Sequence, residues 1–434
     1  MLKLIRNCVA VGAAGLLALS AAPSAAEESD DLTYTIQKGD TLYGIKERFL
    51  LDSVNVNELR DYNRVRNTRG LRINSAIRIP REMLEFTPVE ITVFRLSGPV
   101  SIAGTGAQTE QAVNEGDVIE TRRNGFVTLL TNEGARISLP SNTAARLVRA
   151  RRYTLGNTLD LDFKVERGRA SASSPSLEGQ DRLQMRTPLA VTAVRGTEFR
   201  VAYDPESGEF SLTEVTEGEV NVAAGGDQIA APAGFGIASS AEGVGEPQAL
   251  LGAPEFINGG AIQTGEALEF AIEPIANAVG YRVQLAREAG FLDVINEQRV
   301  DGTQTTFTDI DDGRYFVRGR AIAANGLEGG SEAYTFRRKQ LGVAAEAGPG
   351  DDYEGFRFAW RANGEGESLF AFQLWDEANP QTLLVDEVGL TETEVILTDL
   401  ERGRYQWRVA VAQADAEEGL LKIWGTAETL VITE

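Results

Sequence analysis

The chain has 434 residues, enough for two to four domains with their own cores at roughly 100–200 residues each. It carries no histidine and a single cysteine, Cys8, which excludes Ser-His-Asp and Cys-His catalysis, imidazole-held metals and an internal disulfide. The formal net charge of −22 is uneven: residues 33–83 hold ten basic against six acidic side chains, whereas residues 246–434 hold 15 against 33. The acidic half repels nucleic acid and anionic membranes, and solubility is the simplest account of it.

Residues 1–26 read as a secretory signal peptide. Lys3 and Arg6 supply the positive start, Val9 to Leu19 the apolar core, and Ser24-Ala25-Ala26 the small residues before an acidic run. Cleavage is expected after Ala26, with an uncleaved N-terminal anchor as the competing reading. Cys8 precedes the apolar core rather than following it, which argues against a lipoprotein. No later stretch has 18 consecutive apolar residues, so a soluble exported chain is expected.

In residues 33–81, Tyr34-Thr35-Ile36 alternates as a short strand and Gln37-Lys38-Gly39-Asp40 turns the chain. Asp40 or Thr41 caps a helix whose apolar positions Leu42, Ile45 and Phe49 share one face. A second helix fits residues 56–63, and the alternation to Pro80 predicts a closing strand. This βααβ pattern resembles the LysM domain, through Tyr34-Thr35-Ile36-Gln37-Lys38-Gly39-Asp40-Thr41-Leu42-Tyr43-Gly44-Ile45, Glu58-Leu59, Asn63 and the closing Ile77-Arg78-Ile79-Pro80. The resemblance implies binding of N-acetylglucosamine-containing glycan, in bacteria chiefly peptidoglycan. It places the groove at Gly39, Asp40, Thr41 and Leu42 on one side and Asn74, Ser75, Ala76 and Ile77 on the other. The run Leu71-Arg72-Ile73-Asn74-Ser75-Ala76 departs from the family's usual Pro-x-x-Leu-x-x-Gly-Gln. A neutral sugar with N-acetyl groups needs backbone donors, short hydroxyls and an apolar floor, which Gly39, Thr41 and Leu42 offer. The simpler role of Gly39-Asp40 is to make the turn and the cap.

Residues 91–243 show short alternating segments punctuated by glycine, the pattern of an all-β sandwich or roll. They resemble the FecR domain through Leu96-Ser97-Gly98-Pro99-Val100, Gly116-Asp117-Val118-Ile119, the central Val194-Arg195-Gly196-Thr197-Glu198-Phe199 and Val215-Thr216-Glu217-Gly218. The namesake family signals to sigma regulators through a cytoplasmic part and a membrane span. Neither is read in this chain, so a periplasmic scaffold or interaction module is what carries over. Arg195 is weighed as pairing with Glu198 or gripping a partner carboxylate, against a tight turn with Gly196 at positive φ and Thr197 and Glu198 starting a strand. Arg146, Arg149, Arg151 and Arg152 form a basic run expected to be a solvated face.

Residues 254–434 contain a repeat of period about 90. Thr308-Asp309-Ile310-Asp311-Asp312-Gly313-Arg314-Tyr315 recurs as Thr398-Asp399-Leu400-Glu401-Arg402-Gly403-Arg404-Tyr405. Units at 254–339 and 351–434, each of about seven strands with a tyrosine corner, suggest immunoglobulin-like sandwiches. The pair resembles fibronectin type III repeats, which implies spacing or protein contact. Asp309, Asp311 and Asp312 are weighed as a calcium loop, but Arg402 stands in the second copy.

The expected fold class is therefore multidomain and mostly β: a small βααβ module, an all-β FecR-like unit and two β-sandwiches. The expected function is a non-catalytic periplasmic scaffold that binds peptidoglycan, needs no cofactor or metal, and contacts envelope proteins that the sequence does not name. Envelope signalling through the FecR-like unit is the alternative. A hydrolase using two carboxylates about 5–10 Å apart comes last, because no hydrolase motif surrounds any acidic pair.

Overall fold

The computed structural model describes residues 30–433 except 195, 207–209, 258, 260 and 351–354. The predicted signal peptide at 1–26 lies outside the described residues. The rest is mostly β, as its alternating sequence requires.

The first unit is a two-stranded antiparallel sheet, β1 (Asp31–Thr35) against β2 (Ala76–Pro80), covered by α1 (Leu42–Phe49) and α2 (Val56–Tyr62). Leu32, Tyr34, Ile45, Leu59 and Ile79 fill its core. That core does not stop at the module. Tyr153 and Leu155, from far along the chain, are fully part of it.

Residues 86–249 form one continuous antiparallel-rich strand system of 18 strands. Its hinge is the 16-residue strand Thr158–Ser173. The first half of that strand pairs with Ala144–Tyr153 and, in parallel, with Arg182–Arg186. The second half pairs with Arg136–Leu139 and Glu198–Tyr203. One strand thus serves both faces around a single apolar core that includes Leu161, Phe163, Phe199 and Val215. Gly98, at φ 65°, lies where an added Cβ would meet the Asn124 carbonyl oxygen at 1.9 Å, so only glycine fits this crossing.

Two sandwiches follow. In the first, the sheet Ile262–Gln263, Ala333–Arg338, Gly313–Ala323, Ala278–Ala286, Val294–Val300 faces the pair Leu268–Ala271 and Gln304–Phe307. In the second, Phe356–Asn363 pairs with Gly342–Pro349 and Glu394–Leu397, opposite the sheet built on Ser368–Asp376 and Gly403–Asp415. The strand Gly342–Pro349, which the repeat arithmetic leaves between the copies, goes by its pairing with the second. Tyr405 donates its hydroxyl to the Glu401 carbonyl at 2.9 Å, the corner expected there. In the first copy Tyr315 stacks on Phe336 instead.

The units meet through arginine–carboxylate seams, and here the basic run is corrected. Arg149, Arg151 and Arg152 do not make a solvated face. Arg149 reaches Asp30 at 2.7 Å, Asp160 at 3.3 Å and Asp162 at 3.2 Å, while Arg151 pairs with Glu115 and Arg152 with Glu133. Asp160 and Asp162 are both wholly buried, and Asp160 also takes Arg81 and a two-pronged contact from Arg182. Among the four, Arg146 is the more exposed and pairs with Glu166. Gln180 completes this first seam by placing its side-chain amide on the backbone of β1, accepting from Thr33 N–H at 2.7 Å and donating to Thr33 C=O at 3.0 Å. A second seam joins the long strand system to the first sandwich. Arg200 pairs with Glu214 and donates to the carbonyls of Glu328 and Gly329, while Glu328 receives Arg169 at 2.8 Å and Arg282 at 2.6 Å. A third joins the sandwiches through Arg337–Asp415 and Arg314–Glu417.

Candidate glycan-binding groove

The groove begins with a turn that the sequence encodes locally. Gly39 takes φ 92°, and Asp40 closes the turn by accepting from the Gln37 N–H at 2.7 Å. The same carboxylate accepts from the Tyr34 hydroxyl at 2.8 Å and from Arg48 at 2.6 Å. Burial works against its charge, but the Gln37 N–H, the Tyr34 hydroxyl and Arg48 outweigh it and hold Asp40 below the usual carboxylate range. Thr41 then caps α1, accepting from the Gly44 N–H at 3.0 Å. Asp40 therefore shapes the loop, and Thr41 starts the helix.

The second loop is tied to the first through the backbone. The Asn74 N–H donates to the Ile36 carbonyl and the Ile36 N–H to the Ser75 carbonyl, each at 2.9 Å. The Leu42 N–H donates to the Thr68 carbonyl at 3.1 Å. Asn74 sits at φ 63°, a left-handed position that asparagine tolerates, and Ser75 Oγ donates to the Arg72 carbonyl at 2.7 Å. Asn63, part of the motif, clamps β2 by exchanging hydrogen bonds with the Arg78 backbone.

The eight expected groove residues thus lie on two loops that the fold brings together and on the first residues of α1 and β2 that follow them, but their side chains divide. Gly39, Asn74 and Ala76 are exposed, with Asp40, Thr41 and Ser75 half-buried. Leu42 is 0% exposed and Ile77 3%, so the expectation that Leu42 floors the groove is corrected: both side chains belong to the module core. The apolar surface beside these loops comes from Tyr43, 58% exposed, and Ile73, 50% exposed. Sequence reasoning quoted both and assigned neither. For Tyr43 the usable signal is its place one residue outside the buried phase of the helix, whereas Ile73 lies in the turn before β2 and in phase with buried Ile77 and Ile79, so periodicity does not mark it.

The remaining candidates fall out differently. Gly196 takes φ 75° with Ser176 packed where a Cβ would sit, and Glu198 opens the strand Glu198–Tyr203, as a tight turn requires; Arg195 lies outside the described residues. Asp312 accepts from Lys339 Nζ at 2.9 Å and the Gln340 N–H at 2.6 Å, which commits the proposed calcium loop to a corner. Among the described residues no group of three or more His, Cys, Asp or Glu could hold a metal ion, and no helix is long and apolar enough to cross a membrane.

The comparisons with known proteins divide along the same lines. Residues 34–80 match the LysM domain model and residues 117–221 match the FecR protein model. A search of curated proteins finds no match. Among solved structures the chain is similar to an anti-sigma factor candidate from Parabacteroides distasonis, at 18% identity and a TM-score of 0.25, covering 30% of this chain and 57% of that one. It is similar to the FN1–FN3 domains of chicken CNTN1, at 13% identity and a TM-score of 0.21, covering 62% of this chain and 95% of that one. A two-domain fibronectin type III segment of chicken tenascin matches at 14% identity and a TM-score of 0.21, covering 42% and 99%. The family models thus place a LysM domain, of a glycan-binding kind, and a FecR domain in the chain ahead of the two β-sandwiches. Its two matched modules are of binding and signalling kinds, not catalytic ones.

Proposed function

We propose that the protein is a non-catalytic periplasmic scaffold that anchors on N-acetylglucosamine-containing glycan of peptidoglycan and presents its β units to envelope proteins. The observation that carries the reading is the LysM match over 34–80, the segment whose two loops meet beside exposed Tyr43 and Ile73. Backbone groups of Gly39–Thr41 and Asn74–Ala76 supply the polar contacts for N-acetyl groups, Asn74 adds a side-chain donor and Ser75 a hydroxyl acceptor, and Tyr43 and Ile73 take the sugar faces. Asp40 is a positioning residue.

Co-sedimentation with purified sacculi tests this on the full chain. Each of Tyr43→Ala and Ile73→Ala is expected to weaken binding about tenfold, from the loss of roughly 1–2 kcal/mol of apolar contact, with the melting curve unchanged because neither side chain is in the core. Full binding by the double variant would refute the groove. Muropeptide release that disappears on one Asp or Glu substitution would overturn the non-catalytic part.

The FecR match over 117–221 favours a second reading, envelope signalling. A pull-down from envelope extract separates the two: a receptor or sigma-regulating partner supports signalling, and structural wall proteins support the scaffold.

A further inference from the structure

The second seam, between the long strand system and the first sandwich, encloses a cavity of about 110 Å³. Six arginines and four glutamates line it. The excess of two positive charges stands in a chain whose overall charge is −22. Three of the glutamates are already committed. Glu214 holds Arg200, Glu297 holds Arg282, and Glu328 holds Arg169 and Arg282.

Three cations are left over, Arg136, Arg318 and Arg320, against one further glutamate, Glu198. Arg136 donates to Ser173 Oγ at 3.3 Å, and Arg318 and Arg320 are neighbours. Arg318 and Arg320 project from the same face of the strand Gly313–Ala323, where residues two apart point the same way. Arg318 donates to Gln284 at 2.9 Å and lies 4.1 Å over the Phe291 ring, and among the described residues it makes no ion pair. Arg320 reaches Glu328 only at 3.5 Å, and its Nε is buried without a hydrogen-bond partner. Burial, then the repulsion of Arg320 and Arg200, pushes the Arg318 guanidinium well below the usual arginine range; burial and Arg200 bring Arg320 down to about 10. Cations gathered in a seam without their own carboxylates are costly unless something supplies the missing charge.

We propose that this cavity is a binding site for one small dianionic oxyanion, a phosphate or short dicarboxylate group, held in the forks of Arg318 and Arg320. The charge excess sets the valence, guanidinium geometry sets the oxygen chemistry, and the volume excludes a nucleotide or a sugar chain. Both arginines lie on the first sandwich, while Arg136, Arg169 and Ser171 of the facing wall belong to the strand system. A bound anion therefore locks the two units together. The site does not depend on the glycan groove or on what binds there.

The test uses the full chain, freed of anions by dialysis into a zwitterionic buffer. It is titrated with inorganic phosphate, malonate and chloride at matched ionic strength, and followed by calorimetry and thermal melting. Saturable one-to-one binding of phosphate or malonate is expected, with the melting midpoint raised by about 5 °C at saturation and chloride without effect. A stronger response to phosphate identifies a phosphoryl ligand, and a stronger response to malonate a dicarboxylate. Arg318→Met removes a charge while keeping the apolar stem. It is expected to melt no lower than the parent in anion-free buffer and to lose the anion response at least tenfold. Three results would each overturn the site: identical responses to all three anions, no heat of binding in the unmutated chain, or an anion response that survives in Arg318→Met.

Discussion

Asp160→Asn is expected to destabilise the chain by about 3–5 kcal/mol, the cost of breaking a buried ion pair from one side. Asp160 is wholly buried and meets Arg182 at 2.9 and 3.0 Å, Arg149 at 3.3 Å and Arg81 at 3.4 Å, with the Tyr153 hydroxyl at 3.5 Å. Asparagine keeps the shape, removes the charge, and turns an amide donor toward guanidinium groups that can only donate. Arg81 and Arg149 belong to opposite sides of the first seam, so the loss should not stay local. In calorimetry the βααβ module and the strand system are expected to melt as one transition in the parent, and that whole transition should move down in the variant. A shift confined to a small separate transition, or a loss under about 1 kcal/mol, would contradict a shared core.

Glu328→Gln is expected to cost a similar 3–5 kcal/mol at pH 7 and to change how stability depends on pH. Glu328 is 1% exposed, bonded to Arg169 and Arg282, while its own N–H donates to Glu214 at 2.6 Å. Burial opposes its charge, but Arg169, Arg282, Arg320 and Arg200 together hold the carboxyl well below the usual glutamate range. A carboxylate depressed in the folded state adds stability that is complete above its unfolded pKa of about 4.3 and is lost as the pH falls below it. Denaturant titrations between pH 7 and pH 3 should therefore show the parent losing stability more steeply than Glu328→Gln below about pH 4.5. Parallel curves would mean that this carboxylate carries no linkage.

What the sequence made legible was what it encodes locally. The Gly39-Asp40 turn, the Thr41 cap and the Leu42/Ile45 face depend on residues within one or two turns of each other. The 90-residue repeat was legible because each copy writes its own strands, including the corner that Tyr405 closes on Glu401. The seams were hidden because their partners are distant. Arg149 finds Asp30 across 119 positions, and Arg200 finds the Glu328 carbonyl across 128. A run of arginines reads as a wet surface when its carboxylates lie elsewhere in the chain. The groove failed in one particular way. Helix periodicity correctly buried Leu42, and the same residue then could not serve as an exposed floor; Tyr43, one step around the helix, was the available apolar face.

The side-chain amide of Gln180 has one more consequence. A two-stranded sheet presents unpaired backbone edges, and an open edge is a template on which another chain can lay a strand. On β1 that edge is filled at Thr33 by an amide that offers the same donor and acceptor as a peptide group. The module is thus protected from self-templated aggregation by a single side chain borrowed from 147 residues away. At high local concentration, such a plug favours neighbours that stay separate over neighbours that fuse through their edges.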